Sequence, residues 1–228
     1  MTGDKEGVQW ALPPGLDIEP DQLQARLDIY QESILLHLRD GNAMQVRLVS
    51  ALDIARVLTA QLGFGSGVLP EGALWWGSIR GQEMVAVWRG PRVWKAALQV
   101  EALKPPRRFR LPMPGLIFVC TKGQPPAVFA AKERPQSMET RVYHAPLFNV
   151  YSDGRSCQGT HAYPEDPAKQ PESFFQAFFS PSVMNRPSQK YGRDLLRLWE
   201  EIDGQDNYPV DDLVEIGPFQ QAVEGLWR

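Results

Sequence analysis

The fold is decided by the stretch from residue 73 to residue 100, which reads ALWWGSIRGQEMVAVWRGPRVWKAALQV. Aromatic and branched residues, which favour strands, fill three runs that are separated by turn residues near Gly81 and Gly90. The three runs are 73–80, 83–89 and 92–100. Because turns this short join neighbouring strands in opposite directions, the stretch predicts an antiparallel β-meander.

On the N-terminal side, residues 26–49 carry further strand-type runs joined by tight turns. Ser50 then offers a helix N-cap, and Asp53 stands where a capping box places an acid. Apolar residues at helical spacing follow, so the sequence predicts a helix over residues 51–62.

On the C-terminal side, residues 104–115 combine prolines with basic side chains, which predicts an extended, exposed connection rather than a packed element. A hairpin is predicted next, with strands at 116–121 and 127–132. Residues 134–171 lose all periodicity and predict a long irregular stretch, of the kind that often carries function. Helices are predicted at 171–179, 195–202 and 218–227.

Composition excludes several classes of function. A formal net charge of −3 gives the chain no overall attraction to nucleic acid. The first residues lack a basic-then-apolar signal pattern, and no stretch approaches the ~20 apolar residues that a bilayer crossing needs. We therefore expect a cytoplasmic protein that has no cofactor and neither a nucleic-acid nor a membrane partner.

The chain has two cysteines, which excludes a disulfide-dense scaffold. Cys120 ends the apolar run LIFVC at 116–120, where a buried cysteine behaves as a small hydrophobe. Cys157 follows the polar turn YSDGR at 151–155, so its sulfur is expected to be accessible. The positive charge of Arg155 nearby would favour the reactive thiolate. Cys157 is therefore the candidate nucleophile.

The segment FNVYSDGRSC at 148–157 carries a more specific signal, because Asn149 precedes Cys157 by eight residues. This segment resembles the active-site segment of ubiquitin-conjugating enzymes, in which an asparagine stands at that spacing before the catalytic cysteine. The context is similar more particularly to the prokaryotic conjugating-enzyme family D, known as PRTRC system protein B. The residues that carry this likeness are KERP at 132–135, HAPLFN at 144–149 and AFFS at 177–180.

The resemblance implies an α+β fold in which an antiparallel β-meander is flanked by helices and the cysteine lies on a loop after the last strand. We expect residues 71–185 to form this ubiquitin-conjugating-like catalytic core. Residues 1–70 are then an N-terminal extension of strands and a helix packed on the core. Residues 186–228 are a C-terminal helical extension.

The resemblance also implies partners and a chemistry. The partners are a ubiquitin-like carrier protein, a ThiF-like activating enzyme that charges it and, in many such systems, a JAB-type peptidase that removes it. The carrier's carboxyl group would pass to Cys157 as a thioester and then to an amine. Asn149 would donate its amide to the developing oxyanion or pin the loop that does so.

One departure from the eukaryotic pattern concerns the residues before Asn149. The His-Pro pair that normally stands there is replaced by Leu147-Phe148. The sequence His144-Ala145-Pro146 lies immediately upstream and is a candidate for similar structural work.

Three alternatives use the same residues. A cysteine hydrolase would take His161 or His144 as its base and Asp153 as the group that orients it. A non-catalytic module would use the fold only to bind a carrier. A zinc site would combine Cys157 with the two histidines, although the spacing matches no common structural zinc pattern.

Two further features have mainly structural interpretations. A basic cluster falls in the proline-rich stretch and would attract an acidic partner surface if it is not simply solvated. Four tryptophans are interpreted as core of the meander rather than as a ligand site. The cluster is Lys104, Arg107, Arg108 and Arg110, and the tryptophans are Trp75, Trp76, Trp88 and Trp94.

Overall fold

A computed structural model describes most of the chain, which divides into two compact units at residues 1–65 and 66–228. The described residues are 25–40, 43–55, 68–79, 82–101, 103–181 and 185–226.

The first unit contains an antiparallel sheet of three strands in the order β1-β2-β3, as the runs at 26–49 predict. The strands are β1 (Ala25–Ile29), β2 (Ile34–Asp40) and β3 (Ala43–Val49). Ser50 caps the helix that follows, because its Oγ accepts a hydrogen bond from the backbone N–H of Asp53 at 3.0 Å. Residues 51–55 are helical and form α1, and the remainder of the predicted helix, 56–62, lies outside the described residues.

The described part of the second unit has nine strands and three α-helices. The strands are β4 (Ala73–Ile79), β5 (Gln82–Arg89), β6 (Arg92–Leu98), β7 (Arg107–Met113), β8 (Gly115–Thr121), β9 (Ala127–Ala131), β10 (Arg141–His144), β11 (Phe178–Phe179) and β12 (Glu215–Pro218). The helices are α2 (Gln170–Gln176), α3 (Leu195–Ile202) and α4 (Phe219–Gly225).

Six of these strands form one antiparallel sheet in the order β12-β10-β9-β8-β5-β4. The predicted strands at 73–80 and 83–89 and the predicted hairpin at 116–132 are confirmed in this sheet. β8 is buried along nearly its whole length, as its unbroken apolar sequence requires.

The third strand of the predicted meander is wrongly assigned. β6 does not pair with β5, whose free edge is taken by β8. It belongs to a second sheet, where it pairs with β7 antiparallel and with β11 parallel. The alternation along β6 explains this, because Trp94, Ala96 and Leu98 are buried while Lys95 is exposed, and such a strand needs a sheet with one solvated face.

The expectation of an exposed connection over 104–115 is also wrong. β7 occupies most of this stretch and buries Phe109, Leu111 and Met113 on one face. Pro112 is tolerated because β7 lies at the edge of its sheet, where a missing N–H leaves no ladder partner unsatisfied.

The core of the second unit lies on both faces of the six-stranded sheet. Leu116, Phe118 and Cys120 of β8 point to one face and pack in the cluster that includes residues of β6, β7, α2 and α3. Ile117 and Val119 point to the other face and pack with residues of α4. The unit is therefore layered, and its class is α+β with mainly antiparallel sheets, as predicted.

The tryptophans take part in this core to different extents. Trp94 is buried and stacks on Phe175 with ring centroids 4.1 Å apart. Trp75, Trp76 and Trp88 are partly buried against the two clusters.

The irregular stretch 134–171 is confirmed in the main, although it contains β10, which the sequence analysis missed. Helices are found near all three predicted C-terminal positions. α2 ends at Gln176, however, so Phe178 and Phe179 lie in β11 and not in the helix. Among the described residues, no helix combines the length and the apolar character that crossing a membrane requires.

Candidate active site around Cys157

The segment from Asn149 to Cys157 folds back on itself as a small hairpin. Its two arms meet in an antiparallel bridge between Val150 and Ser156. At the open end, the backbone N–H of Cys157 donates to the backbone oxygen of Asn149 at 2.8 Å. The eight-residue spacing noted in the sequence therefore brings these two residues opposite one another.

This hairpin is fixed on the edge of β9 near its start. The backbone oxygen of Gly154 accepts from the N–H of Val128 at 2.8 Å, and Ser156 Oγ donates to the oxygen of Pro126. Gly154 has φ 88°, and a Cβ added there would lie 2.3 Å from the Phe129 ring. Only glycine meets both conditions without a shift, so the hairpin can lie this close to the sheet.

The side chain of Asn149 connects the hairpin to β11. Its Nδ2 donates to the oxygen of Phe178 at 3.1 Å. Its Oδ1 accepts from the N–H of Ser180 at 3.0 Å and from Ser180 Oγ at 2.7 Å. The residue has φ 63°, a left-handed conformation that asparagine tolerates better than most side chains. These bonds hold the start of the hairpin against the end of β11.

Cys157 is exposed and free, and it lines a cavity of about 440 Å³. The cavity is lined by residues from the end of the hairpin, from the segment after it and from the α2–β11 region. Its lining includes Asn149, Cys157, Thr160, His161, Tyr163, Phe178 and Ser180. We call this cavity the thiol groove.

Two tyrosines lie close to the thiol. A hydrogen bond with Cys157, together with the charge of its thiolate, raises the pKa of Tyr151 above its ordinary value. Burial, and to a lesser extent the charge of Cys157, raises the pKa of Tyr163 to about 12. Both hydroxyls therefore keep their protons at neutral pH, and Tyr151 can donate to the sulfur.

The two candidate histidines are placed differently. His161 lines the cavity with Cys157, but its Nε2 is 2.8 Å from Ser173 Oγ and its ring stands edge-on to Tyr163. His144 lies in β10 opposite Phe129 and is not among the cavity's lining residues. Burial lowers the pKa of His144 and so favours its neutral form.

Asp153 and Arg155 pair with each other at the tip of the hairpin. Arg155 Nη1 is 2.8 Å from Asp153 Oδ2, and its other terminal nitrogen donates to the oxygen of Leu226. Arg155 lines a cavity with Leu226 on the α4 side, not the cavity of Cys157. The expected help from Arg155 to the thiolate therefore has no contact to support it and stays a prediction, as does the orienting role of Asp153.

No group of three His, Cys, Asp or Glu side chains within the described residues is arranged to hold a metal ion. Cys157 and His161 share a cavity, but His144 does not complete a set with them. The alternative of a zinc site is therefore without support in the geometry.

Cys120 has the surroundings of a core residue. It has no exposed surface, and its Sγ lies 3.6 Å from the oxygen of Phe118. Burial raises the pKa of the Cys120 thiol far above its ordinary value, which disfavours the thiolate. The interpretation of Cys120 as a small hydrophobe agrees with this placement.

Tyr151, Tyr163 and Ser180 were not predicted as site residues from the sequence. Two of these residues lie within motifs that the sequence had singled out. Tyr151 belongs to the segment 148–157, and Ser180 is the last residue of the AFFS motif. Nothing in the sequence indicated that a serine 31 residues from Asn149 would bond to its amide.

The family model described as Prokaryotic E2 family D matches residues 51–216, a range that includes both cysteines and all of the hairpin. No curated protein and no solved structure matches the chain. Because the family match covers well over half of the sequence, the chain belongs to prokaryotic E2 family D.

Proposed function

We propose that this protein carries a ubiquitin-like protein as a thioester on Cys157 and passes it to an amine acceptor. Membership of an E2 family supports a ubiquitin-conjugating-type role in general. The observation that carries the finer proposal is that Cys157 is an exposed thiol lining a groove directly opposite Asn149.

The order of elements supports the same proposal. β4, β5, β8 and β9 follow one another as neighbours in one antiparallel sheet, and the thiol hairpin follows them along the chain. In our proposal these strands are the four-stranded meander of a ubiquitin-conjugating fold, with β6 and β7 inserted between the second and third strands. Residues 71–185 are then the catalytic core.

The proposed reaction has two acyl transfers. The Cys157 thiolate attacks the thioester that joins the carrier to the activating enzyme, a new carbon–sulfur bond forms, and the enzyme's thiolate leaves. An amine then attacks the Cys157 thioester, the carbon–sulfur bond breaks, and an amide forms with loss of one proton from nitrogen. In our proposal the protonated hydroxyl of Tyr151, whose pKa is raised by its interaction with Cys157, donates to the sulfur that leaves in this second step.

In this reaction Asn149 acts first as a positioning residue. Its oxygen accepts from Ser180 and its nitrogen donates to Phe178, which orients the hairpin end that bears Cys157. Nδ2 has a second N–H, so donation to the oxyanion of the thioester remains compatible with these contacts.

A cysteine hydrolase is the second candidate, because His161 lines the same cavity as Cys157. The contact of its Nε2 with Ser173 favours a structural role for the ring. An assay on unactivated peptides separates the candidates, since a conjugating enzyme needs a charged carrier and should leave such peptides intact.

The main test supplies the protein with ATP, a ThiF-like activating enzyme and a ubiquitin-like protein encoded beside it. We expect an adduct that thiols remove, that Cys157→Ala abolishes and that Cys120→Ala retains. The melting temperature of each variant is measured as a check on folding. An adduct that survives Cys157→Ala would contradict the proposal.

A further inference from the structure

The three-stranded sheet β11-β6-β7 carries basic side chains on its outer face. Lys95 of β6 and Arg108 and Arg110 of β7 are exposed and line a cavity of about 790 Å³. The cross-strand register places Lys95 opposite Arg110 and Ala97 opposite Arg108. The three cations therefore share one face, because residues two apart on a strand point the same way.

These three cations differ from Lys104 and Arg107, the remaining members of the basic cluster. Lys104 pairs with Glu101 at 2.8 Å, and Arg107 pairs with Glu200 at 2.8 Å. Lys95, Arg108 and Arg110 have no ion pair with any described acidic side chain. We call them the basic face.

The basic face has an electrostatic cost in the free protein. Lys95 and Arg110 are directly opposed across two strands, a placement in which like charges destabilise a sheet. Asp203 lines the same cavity, but its Oδ1 accepts from the backbone N–H of Arg110 at 2.7 Å rather than from a guanidinium. An anionic partner would relieve the repulsion and gain charge-assisted hydrogen bonds from the two arginines.

The basic face is continuous with the thiol groove. Phe178 and Gln176 line both cavities, and Phe178, which is 64 % exposed, lies beside Ala97 in the β11–β6 pair. The backbone oxygen of Phe178 also accepts from Asn149. A chain leaving Cys157 along this route would cross one aromatic ring and then reach the cations.

We propose that the basic face binds an acidic segment of the carrier protein, located a few residues before the carboxyl group that is linked to Cys157. The inference rests on the proposed function and adds the part of the carrier that the protein recognises. Two strand spacings separate β11 from β7, or about 10 Å, which an extended chain spans in about three residues.

A protein segment fits this face better than a nucleic acid does. The cations number only three and adjoin an exposed phenylalanine, while the protein as a whole has a net charge of −3. Nucleic-acid binding relies on a more extensive positive field. Carboxylates spaced along a peptide can form hydrogen-bonded ion pairs with neighbouring arginines, and these contacts do not need such an extensive field.

The test uses synthetic peptide thioesters, which transfer their acyl group to Cys157 as a small thiol leaves. Three fluorescent peptides share a neutral C-terminal tail and differ only in three upstream residues, which are all Glu, all Gln or all Lys. We measure the rate constant of acyl transfer at low salt and again at high salt. The Glu peptide should react about tenfold faster than the Gln peptide at low salt, and the difference should shrink as salt screens the charges.

Charge reversal provides the matched comparison. Lys95→Glu with Arg110→Glu should remove the preference for the Glu peptide and favour the Lys peptide. Lys122→Glu with Arg141→Glu changes net charge equally at two cations that line neither cavity, and it should leave the preference intact. Melting temperatures confirm that both double variants are folded.

Equal rates for the Glu and Gln peptides on the folded parent protein would overturn the inference, as would equal losses in the two double variants. A single-stranded oligonucleotide that abolishes the Glu preference at a lower concentration than a free Glu peptide would assign the face to nucleic acid instead. Failure of every peptide to acylate Cys157 would count against the proposed function itself, so the two failures are distinguishable.

Discussion

The strand that holds Cys120 and the hairpin that holds Cys157 place the two cysteines in opposite surroundings, one buried and one exposed. Cys120 has no exposed surface, and its side chain packs in the apolar cluster on one face of the six-stranded sheet. Cys157 is exposed, and its hairpin is fixed by backbone hydrogen bonds and by the Asn149 side chain. The exposed thiol therefore lies at the end of a segment that several hydrogen bonds connect to β9 and β11.

The largest expected difference between the two regions is in alkylation. Iodoacetamide should modify Cys157 in the native protein at least about 10³-fold faster than Cys120, because Cys120 reacts only after the central strand opens. The raised pKa of Cys120 acts in the same direction by reducing its thiolate. Mass spectrometry of timed, quenched samples gives both rates. Comparable rates would show that β8 does not protect Cys120.

The second prediction concerns what holds the hairpin on β9. Gly154→Ala should lower stability by about 3 kcal/mol, since its Cβ would meet the Phe129 ring and its φ is positive. Gly159→Ala is the control, because Gly159 also has positive φ but has nothing within 4 Å of an added Cβ. The Gly159→Ala replacement should lower the free energy of unfolding by about 1 kcal/mol. Equal losses in denaturant unfolding would show that close packing on Phe129 is unimportant.

The third prediction concerns the bonds from Asn149 to β11. Asn149→Gly keeps the left-handed backbone and removes the amide, and it should cost about 2 kcal/mol. Ser180→Ala removes one partner of the same oxygen and should cost about 1 kcal/mol, and the two losses should not add in the double variant. Fully additive losses would mean that the two side chains are not coupled.

The same Asn149 variant separates two roles in transfer. A positioning role predicts similar slowing of Cys157 loading and of discharge to lysine in single-turnover experiments. An oxyanion donor predicts that discharge alone slows, by about 10²-fold.

The smallest expected effect is a change in the pKa of Tyr151 when the Cys157 thiol is removed. Because the thiol and its charge raise the pKa of Tyr151, Cys157→Ala should lower that pKa toward the ordinary value, so the phenol ionises at lower pH. Titration of ¹³Cζ-labelled tyrosine by NMR measures the change, with Tyr151→Phe to assign the signal. Tyr208, whose pKa is raised first by burial and then by Asp212, serves as an internal reference that should not move.

Local sequence signals predicted the elements whose partners are close along the chain. β4, β5 and the β8–β9 hairpin were expected because short turns specify their neighbours. β6 was wrongly predicted to pair with β5 across the turn at Gly90-Pro91. β8, which is more distant in sequence, pairs with that edge of β5 instead. β7 was missed because prolines and arginines obscured the alternation of Phe109, Leu111 and Met113.

The candidate site likewise has features that the sequence predicts locally and features that depend on distant segments. Asn149 and Cys157 were predicted as site residues because an eight-residue spacing within one hairpin is visible in the sequence. The contacts of Asn149 with Phe178 and Ser180, and of Phe178 with β6, depend on how distant segments pack. Tertiary contacts of this kind have no local signal.

Replacement of the Cys157 sulfur by oxygen tests whether Cys157 is the residue that forms the thioester. Parent protein and Cys157→Ser are each charged with the ubiquitin-like protein, the activating enzyme and ATP, and the linkage is then mapped by mass spectrometry. We expect a thiol-labile adduct on Cys157 of the parent protein. For Cys157→Ser we expect a slower-forming ester at residue 157 that resists thiols and yields to mild alkali. A thiol-labile adduct on the serine variant, or a linkage that maps to Cys120, would contradict the account.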